Sequence, residues 1–499
     1  MSEHRGIPLP QSSVDYSRKW YVMAAVGMSI LLATIDGSIV NVALPTLVRE
    51  LNTDFATVEW VVLAYLLALV TLLPSIGRLG DMIGKKAIYT AGFVVFTAGS
   101  VLCGLAPDVY WLVGFRVLQA VGAAMVLALG AAILTEAFPP SERGKALGLF
   151  GTFVSVGVVL GPTLGGILIE NLSWHWIFFV NLPVGIIGVI MALRFVPEFK
   201  PVGRQQFDFA GAVTLFVSLL ALLLALTLGQ HFGFSQPMIA LLFVGSLIFL
   251  ALFIYTELRV KQPMIDLRLF QNILFSINLI TGFMTFVAIS GIFILIPFYL
   301  EIVLGYTTQQ VGYMLAIVPI ALGVTAPIAG SLSDRWGTRP MTVVGLLLLL
   351  IGYYGASTLT AETGVLGYIL RLLPIGIGMG IFQSPNNSAI MGTAPRERLG
   401  VVSGLLSTTR TLGQTTGVAV LGAVWASHVA AYAGGLVEGG ATAAPMMAQL
   451  AGLQDTFIIV SVLMALSLGL SIWGLIQERR SGVRRRPVII EPDVNKIEV

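Results

Sequence analysis

The chain has 499 residues, of which 56% are hydrophobic and only 11% are charged. Soluble domains carry roughly a quarter charged residues, so this composition excludes an ordinary soluble protein and indicates an integral membrane protein. The formal net charge of +3 is small, and a single cysteine excludes a disulfide framework. The four histidines lack metal-ligand spacing, so no metal site is expected.

Fourteen segments are apolar over about 20 residues, the length that a membrane-spanning helix needs. When the N-terminus is placed in the cytoplasm, Lys and Arg collect in the cytoplasmic loops, and the opposite loops hold Arg49 alone. The sequence therefore predicts an all-α integral membrane protein with both termini in the cytoplasm. The predicted spans lie at about 20–44, 57–77, 86–106, 110–136, 144–170, 174–196, 207–229, 236–258, 272–300, 308–332, 340–360, 364–392, 400–427 and 454–477.

The chain contains an internal repeat. The loop Gly77–Lys86 after the second span recurs as Gly330–Arg339 after the tenth, and Arg116 in span 4 recurs as Arg371 in span 12. The shift of about 250 residues equals eight spans, which predicts two six-helix bundles separated by two inserted helices. The predicted segments are a cytoplasmic tail (1–19), a first bundle (20–200), the inserted helices (201–262), a second bundle (263–477) with a long outer loop (427–454), and a basic cytoplasmic tail (478–499).

The repeated loop supports two interpretations, a turn that only sets topology or a conformational latch between the halves. Gly77 permits close helix packing, and Gly84 permits a tight turn. Asp81 can accept hydrogen bonds at a helix N-terminus, where the helix dipole favours an anion. The candidate latch residues are Gly77, Asp81, Gly84, Lys85, Asp334 and Arg335.

Asp36 is an acid inside the first span, where a charge costs several kcal/mol unless it is paired, hydrated or protonated. Asp36 and Arg116 are expected at similar depth in the outer half of the membrane. A nearby arginine favours ionised Asp36, and desolvation favours the protonated form. The pair either loads and releases protons or is a static ion pair that specifies packing. Gln119, one turn beyond Arg116, is either a polar relay or a helix–helix hydrogen bond.

Several motifs resemble those of the major facilitator superfamily. The Gly77–Lys86 loop resembles its signature loop, and 112–124, with Arg116 and Gln119, is similar to its fourth-helix motif. The stretch Asp36–Pro45 resembles the first-helix motif of the fourteen-span drug/proton antiporters of the QacA/EmrB type. Gly157–Gly166 resembles the fifth-helix motif of exporters in that superfamily.

The resemblance covers about 20–477. It implies the major facilitator fold, with spans 1 and 4 adjacent, and proton-coupled antiport by alternating access. The expected cargo is a lipophilic, monocationic or neutral drug or toxic compound. The alternative is an exporter of a lipid, glycoside, siderophore or other endogenous metabolite on the same fold.

The fifth-helix motif also has a direct physical meaning. Gly157, Gly161 and Gly165 lie close to one helix face and let another helix approach, and Pro162 bends the span. Together with Gly166, these residues form either a hinge or sealing interface, or an ordinary tight contact.

A drug cavity should be apolar with a few polar groups. Arg410 in span 13 has no obvious acidic partner, so it is either an anchor to helix carbonyls or a charge in a cavity. Spans 7 and 8 carry no deep charge and are expected outside the transport path. The cavity candidates are Asn41, Tyr65, Gln119, Phe283, Phe286, Arg371, Phe382 and Gln383.

The spans contain no nucleophile–base set or metal ligands, so the protein is not expected to be an enzyme. No cofactor is expected, because a proton gradient would supply the energy. The expected partners are a small-molecule substrate, protons and the lipid bilayer, and no nucleic acid. A monomer in a prokaryotic inner membrane is expected, and a periplasmic adaptor is left open.

Overall fold

The structure is a computed structural model that describes residues 16–53, 55–198, 206–260, 262–435 and 441–480. All regular structure within these ranges is helical. Most of the predicted tails, 1–15 and 481–499, lies outside the described residues. The α-helices are α1 (Lys19–Glu50), α2 (Phe55–Ile83), α3 (Lys85–Gly104), α4 (Val109–Ala137), α5 (Arg143–Asn171), α6 (Trp176–Phe179), α7 (Asn181–Phe195), α8 (Phe209–Phe232), α9 (Pro237–Glu257), α10 (Ile273–Phe298), α11 (Thr308–Leu315), α12 (Ile317–Trp336), α13 (Thr338–Ala356), α14 (Val365–Thr393), α15 (Leu399–Tyr432) and α16 (Met446–Arg480).

Thirteen helical segments among the described residues are long and apolar enough to cross a membrane. They match the first twelve predicted spans and the last one. The remaining predicted span, 400–427, lies within α15, a continuous helix of 34 residues that is not one of the thirteen. A polar run at 407–416 interrupts the apolar sequence of α15. The regular structure of the described residues is therefore all helical, with thirteen candidate spans and one additional, more polar long helix.

The loop predicted at 427–454 is shorter in the structure, because both of its ends are helical. α15 continues to Tyr432, and α16 already begins at Met446. The indole N–H of Trp425 on α15 donates to the carbonyl of Gln449 on α16 at 3.2 Å. The apolar run at the start of α16 thus extends the helix and packs on α15 instead of forming a separate loop element.

Helices α1–α7 and α10–α16 form two halves, each with its own apolar core. Phe93 and Leu129 belong to the core of the first half, and Tyr353 and Phe457 to that of the second. The inserted helices α8 and α9 pack on each other, and α8 also packs on α2 and α15. Because α2 and α15 belong to different halves and contact each other, the inserted pair lies over one seam between the halves.

The two halves are joined at one end by two matching contacts. The Asp81 carboxylate, at the end of α2, accepts hydrogen bonds from the backbone N–H groups of Gly400 (2.8 Å) and Val401 (2.9 Å) at the start of α15. The Asp334 carboxylate on α12 repeats this geometry at the start of α5. It accepts hydrogen bonds from the backbone N–H groups of Gly144 (2.9 Å) and Lys145 (3.1 Å). Each carboxylate caps a helix of the other half, where the dipole favours an anion.

Glycines allow the helices to approach closely enough for these caps. A Cβ on Gly77 would collide with the carbonyl of Gly400, and a Cβ on Gly330 would collide with the carbonyl of Gly144. Ser384 on α14 adds a hydrogen bond to the Gly144 carbonyl at 2.9 Å. We call these two contacts, Asp81 with α15 and Asp334 with α5, the latch. Both contacts cross between the halves, which is where a conformational latch would act, and the latch role stays a prediction.

The other candidate latch residues differ in their placement. Lys85 lies 3.0 Å from Asp81 in a buried ion pair. Gly84 has a φ of 116°, a left-handed conformation that favours glycine at this turn. Arg335 is exposed and makes no hydrogen bond or ion pair with the described residues, so the structure does not support it as a latch base. Arg339 is the buried base of the second loop, and it bonds within its own half.

Helix α5 also packs tightly on α1, on both sides of Asp36. Pro162 is exposed, and a Cβ on Gly166 would have no neighbour within 4 Å, so neither contributes to this contact. The other three motif glycines lie against α1 side chains, and a Cβ on any of them would collide: Gly157 with Thr34, Gly161 with Ser38, and Gly165 with Ile39.

Loss of a latch carboxylate is expected to open the latch end more often. Leu73 is fully buried one turn before Gly77, so Leu73→Cys in a Cys103→Ser background reports access to the latch end. A helix cap contributes about 0.5–2 kcal/mol, so Asp81→Ala should speed maleimide labelling of this thiol in detergent by about 2- to 30-fold. Asp334→Ala should act in the same direction.

Asp108→Ala is the matched control for these variants, because Asp108 caps α4 within the first half by accepting from the N–H of Tyr110 at 2.8 Å. It should leave the labelling rate unchanged. Unchanged labelling in both Asp81→Ala and Asp334→Ala would contradict the latch.

The glycines of α5 are expected to tolerate no side chain where they face α1. Gly157→Ala places a Cβ against Thr34, and overpacking of this kind costs about 1–3 kcal/mol. The midpoint of thermal unfolding in detergent should fall for Gly157→Ala and Gly161→Ala. Gly166→Ala is the control, because its Cβ would enter open space. An equal midpoint for all three variants would show that the contact is loose.

Candidate functional site

The Asp36 carboxylate is completely buried inside the first half and is surrounded by donors. One oxygen, Oδ2, lies 2.6 Å from Nη1 of Arg116 on α4. The other oxygen accepts from the side-chain amide of Gln119 at 2.8 Å and from that of Asn181, on α7, at 3.0 Å. Three donors from two other helices thus supply the hydrogen bonds that a buried carboxylate requires.

Arg116 is also held by groups other than Asp36. Its Nε donates to the carbonyl of Val61 on α2 at 3.0 Å, and its Nη1 donates to Oε1 of Gln119 at 2.6 Å. The ring of Tyr65 covers the guanidinium, with 4.1 Å between Cζ and the ring centroid. Gln119 therefore contacts both members of the ion pair, accepting from one and donating to the other.

Sequence reasoning missed Asn181, which also donates to Ser100 on α3 at 2.9 Å. Ser100 in turn donates to the carbonyl of Phe178 at 2.9 Å. The only signal in the sequence is an uncharged amide inside the predicted span 174–196. This chain of hydrogen bonds ties the Asp36 site to α3 and to α6.

A cavity of about 170 Å³ lies between the two halves, next to the Asp36 site. Thr34 and Gly37 on α1 reach its wall, so the cavity is bordered by the residues that flank Asp36. Tyr65 also lines the cavity, and it covers Arg116 with the same ring. Tyr65 therefore lies between the cavity and the buried ion pair. Other lining residues include Ile30, Leu66, Leu69 and Phe150 from the first half and Phe286, Gln383, Asn387, Arg410 and Gln414 from the second.

Three of the predicted cavity residues, Tyr65, Phe286 and Gln383, line this cavity. Gln119 instead belongs to the Asp36 site, where it is buried. Asn387, one turn beyond Gln383 on α14, is also on the wall.

The other cavity candidates lie elsewhere. Asn41 is exposed on α1. Phe382 is buried in the core of the second half against Gly345, because its side chain points away from that of the next residue. Phe283 does not line the cavity and packs on α15. Arg371 donates to the hydroxyl of Thr358 and to a carbonyl on its own helix, both at 3.0 Å.

Arg410 was left open between an anchor to carbonyls and a charge in a cavity. It lines the cavity, and it makes no hydrogen bond or ion pair with the part of the chain that the structure describes. Its nearest aromatic partner is Phe286, with the ring centroid 5.8 Å from Cζ. Arg410 is therefore a charge in the cavity.

The described residues include no cluster of three or more His, Cys, Asp or Glu side chains that could hold a metal ion. What the site offers is a titratable carboxylate, buried with a fixed cation, beside a cavity between two halves. Such an arrangement can exchange a proton and bind a small molecule. It presents no nucleophile paired with a base.

Solved structures share this fold. The human organic anion transporter MFSD10 (TETRAN) matches with a TM-score of 0.65 and 17% identity, over 91% of this chain and 99% of that one. The proton:xylose symporter XylE matches with a TM-score of 0.62 and 13% identity, over 90% of this chain and 95% of that one. At these identities the likeness concerns the fold alone.

Curated relatives are similar over most of the sequence. Riboflavin transporter RibZ of Clostridioides difficile is 34% identical over 83% of this chain and 92% of its own. Multidrug transporter protein MdtP of Bacillus subtilis is 31% identical, over 82% and 75% of the two chains. Multidrug resistance protein Stp of Mycobacterium tuberculosis is 32% identical, over 82% and 76%. The family model described as Major Facilitator Superfamily matches residues 26–418. The chain therefore belongs to the major facilitator superfamily, a family of membrane transporters and not of enzymes.

Proposed function

We propose that this protein is a proton-coupled antiporter that exports lipophilic compounds by alternating access, as a fourteen-span member of the drug/proton antiporter type. Relatives named as multidrug transporters support efflux on this fold. Of the monocationic and neutral cargo expected from the sequence, neutral cargo fits better, because the charged lining residue of the cavity is Arg410.

The observation that carries the proposal is the placement of Asp36. A carboxylate inside a membrane-spanning helix is costly, and such groups commonly mark proton pathways. Here it is paired with Arg116 and separated from the cavity by Tyr65. Protonation of Asp36 removes its charge and leaves Arg116 with the Val61 carbonyl and Gln119 as acceptors. The two protonation states therefore differ in the contacts that hold α1, α2, α4 and α7 together.

In the proposed cycle, a proton from outside binds Asp36 as cargo leaves the cavity outward. The proton then leaves to the inside when the latch opens. The closed latch, with Asp81 and Asp334 capping α15 and α5, represents the state sealed on that side. Opening requires both pairs of hydrogen bonds to break together. The transporter therefore switches between two discrete states, one with the latch closed and one with it open.

The latch end is assigned to the cytoplasm, with both termini on that side, because the basic loops cluster there. On this assignment the protein is a multi-pass protein of a prokaryotic inner membrane and works as a monomer, with no cofactor besides the proton gradient. A periplasmic adaptor is an additional partner that this orientation permits.

An endogenous metabolite is the alternative cargo. The relative named as a riboflavin transporter gives this alternative weak support. The lipid, glycoside and siderophore versions have no supporting observation of their own.

Asp36→Asn is expected to abolish uphill transport, because the amide keeps the size of the carboxylate but cannot bind and release a proton. The measurement is dye movement into proteoliposomes under an imposed pH gradient, with rhodamine 123 as the cation and fluorescein methyl ester as the anion. Wild type should move at least one dye above protein-free liposomes, and Asp36→Asn should not. Glu301→Gln, an exposed acid in the second half, is the control and should behave as wild type. Transport by Asp36→Asn at the wild-type rate would refute proton coupling through this residue.

Tyr65→Ala is expected to uncouple transport, because removal of the ring opens the cavity to Arg116 and Asp36. The readout is proton leak into liposomes without cargo, which should rise in Tyr65→Ala. Tyr65→Phe keeps the ring, and the lost hydroxyl has no hydrogen-bond partner among the described residues, so its leak should match wild type. Equal leak in Tyr65→Ala and wild type would show that the ring does not seal the site.

A further inference from the structure

The cavity between the halves has two chemically different walls. The first-half wall is largely apolar, with Ile30, Leu66 and Leu69 among its members. The second-half wall carries side-chain amides and a guanidinium: Gln383, Asn387, Arg410 and Gln414. None of these four makes a hydrogen bond with the part of the chain that the structure describes. Their donors and acceptors are free to bind a molecule in the cavity.

The neighbouring hydroxyls differ, because they are already bonded to the protein. Ser407 donates to the carbonyl of Leu127 at 3.0 Å, and Thr411 donates to the carbonyl of Ser407 at 3.0 Å. The free polar groups of the second-half wall are therefore a limited set on α14 and α15. The first-half wall adds the hydroxyl of Tyr65, which has no hydrogen-bond partner among the described residues.

Arg410 carries the charge of this wall, and unlike Arg116 and Arg371 it has no polar partner among the described residues. Arg116 is paired with Asp36, and Arg371 donates to a hydroxyl and a carbonyl. No Asp or Glu lines the cavity. A guanidinium without a partner in an apolar bundle is costly, and a bound anion or acceptor offsets that cost. The same charge repels a cation.

We propose that the cavity binds lipophilic monoanions most tightly, neutral compounds less tightly and cations least. That such a compound is the transported cargo rests on the proposed transport function. Arg410 binds the anionic group, with Gln383, Asn387 and Gln414 as hydrogen-bonding neighbours. The apolar body lies against the first-half wall and between the rings of Phe286 and Phe150. The cargo is thus an amphipathic compound with an acidic edge on an aromatic or aliphatic frame.

The test uses three ligands with one frame and three charges: 2-naphthoate, 2-naphthamide and 2-naphthylmethylammonium. Binding is measured by titration calorimetry with the whole protein in nanodiscs, without any gradient. Wild type should bind 2-naphthoate tightest and the ammonium weakest. Arg410→Gln should lower the affinity for 2-naphthoate by about tenfold or more, because a hydrogen bond to a charged group contributes in that range. The affinity for 2-naphthamide should fall much less.

Two variants make the result specific. Arg410→Lys keeps the charge and should keep the order of the three ligands. Arg371→Gln, outside the cavity, should leave all three affinities as in wild type. The order on wild type is itself a test that needs no variant to fold. Equal affinities, tighter binding of the ammonium, binding of none of the ligands, or equal losses for all three in Arg410→Gln would overturn the proposal.

The outcome is separable from that of the proposed function. A protein that binds 2-naphthoate through Arg410 but fails the Asp36 transport test keeps this inference and loses proton antiport. A protein that passes the Asp36 test but shows equal affinities for the three ligands keeps antiport and loses the inference.

Discussion

Much of the first half depends on the buried ion pair between Asp36 and Arg116. Removal of two charges from water costs several kcal/mol for each ion, and their attraction offsets this only with good geometry and with the remaining donors and acceptors satisfied. The structure meets both conditions by using α4 and α7 to supply donors to Asp36, and α2 to supply a carbonyl to Arg116. Four helices must keep their register for the pair to stay buried. A change in the charge of one carboxylate therefore acts on all four at once.

Helix α5 connects this pair physically to the latch. Its first turn is capped by Asp334 of the second half, and farther along Gly157 and Gly161 lie against α1 on either side of Asp36. The two helices are in such close contact that a single added Cβ would not fit between them. One helix therefore cannot move along the other without a change in this packing. In the proposed cycle, a displacement at the latch end of α5 is transmitted to α1 by this packing, and a rearrangement around Asp36 is transmitted to the latch by the same contact. The link is one of contiguous packing, which is one physical route by which distant sites can be coupled.

The sequence was sufficient for much of this arrangement. Asp36 and Arg116 were expected at similar depth, and the family resemblance implied that their helices are adjacent, so a contact between them was an open expectation. The repeated loop marked Asp81 and Asp334 as candidate latch residues. Rotation about each helix axis was not predictable, because hydropathy gives depth but not the direction of a side chain in a helix that is apolar all round. For that reason Phe382 and Gln383, adjacent in sequence, were both placed in the cavity, although only Gln383 faces it. Asn181 was missed because an uncharged amide does not stand out as a buried acid does.

The two halves divide the chemistry between them, and this division bears on how antiport can work. Asp36 is sealed behind Tyr65 in the first half, whereas Arg410 faces the cavity from the second. A proton and an anionic cargo would therefore not compete for one group, and their charges alone would favour binding together. Exclusion of one by the other must come from the conformation, through the packing of α5 on α1 and the latch. In the proposed orientation, exchange of an inward proton for an outward monoanion moves two charges down an inside-negative membrane potential, each worth about 2.3 kcal/mol per 100 mV. Export of a monocation for one proton would gain nothing from that potential, so the charge of the cavity and the energetics of export favour the same cargo.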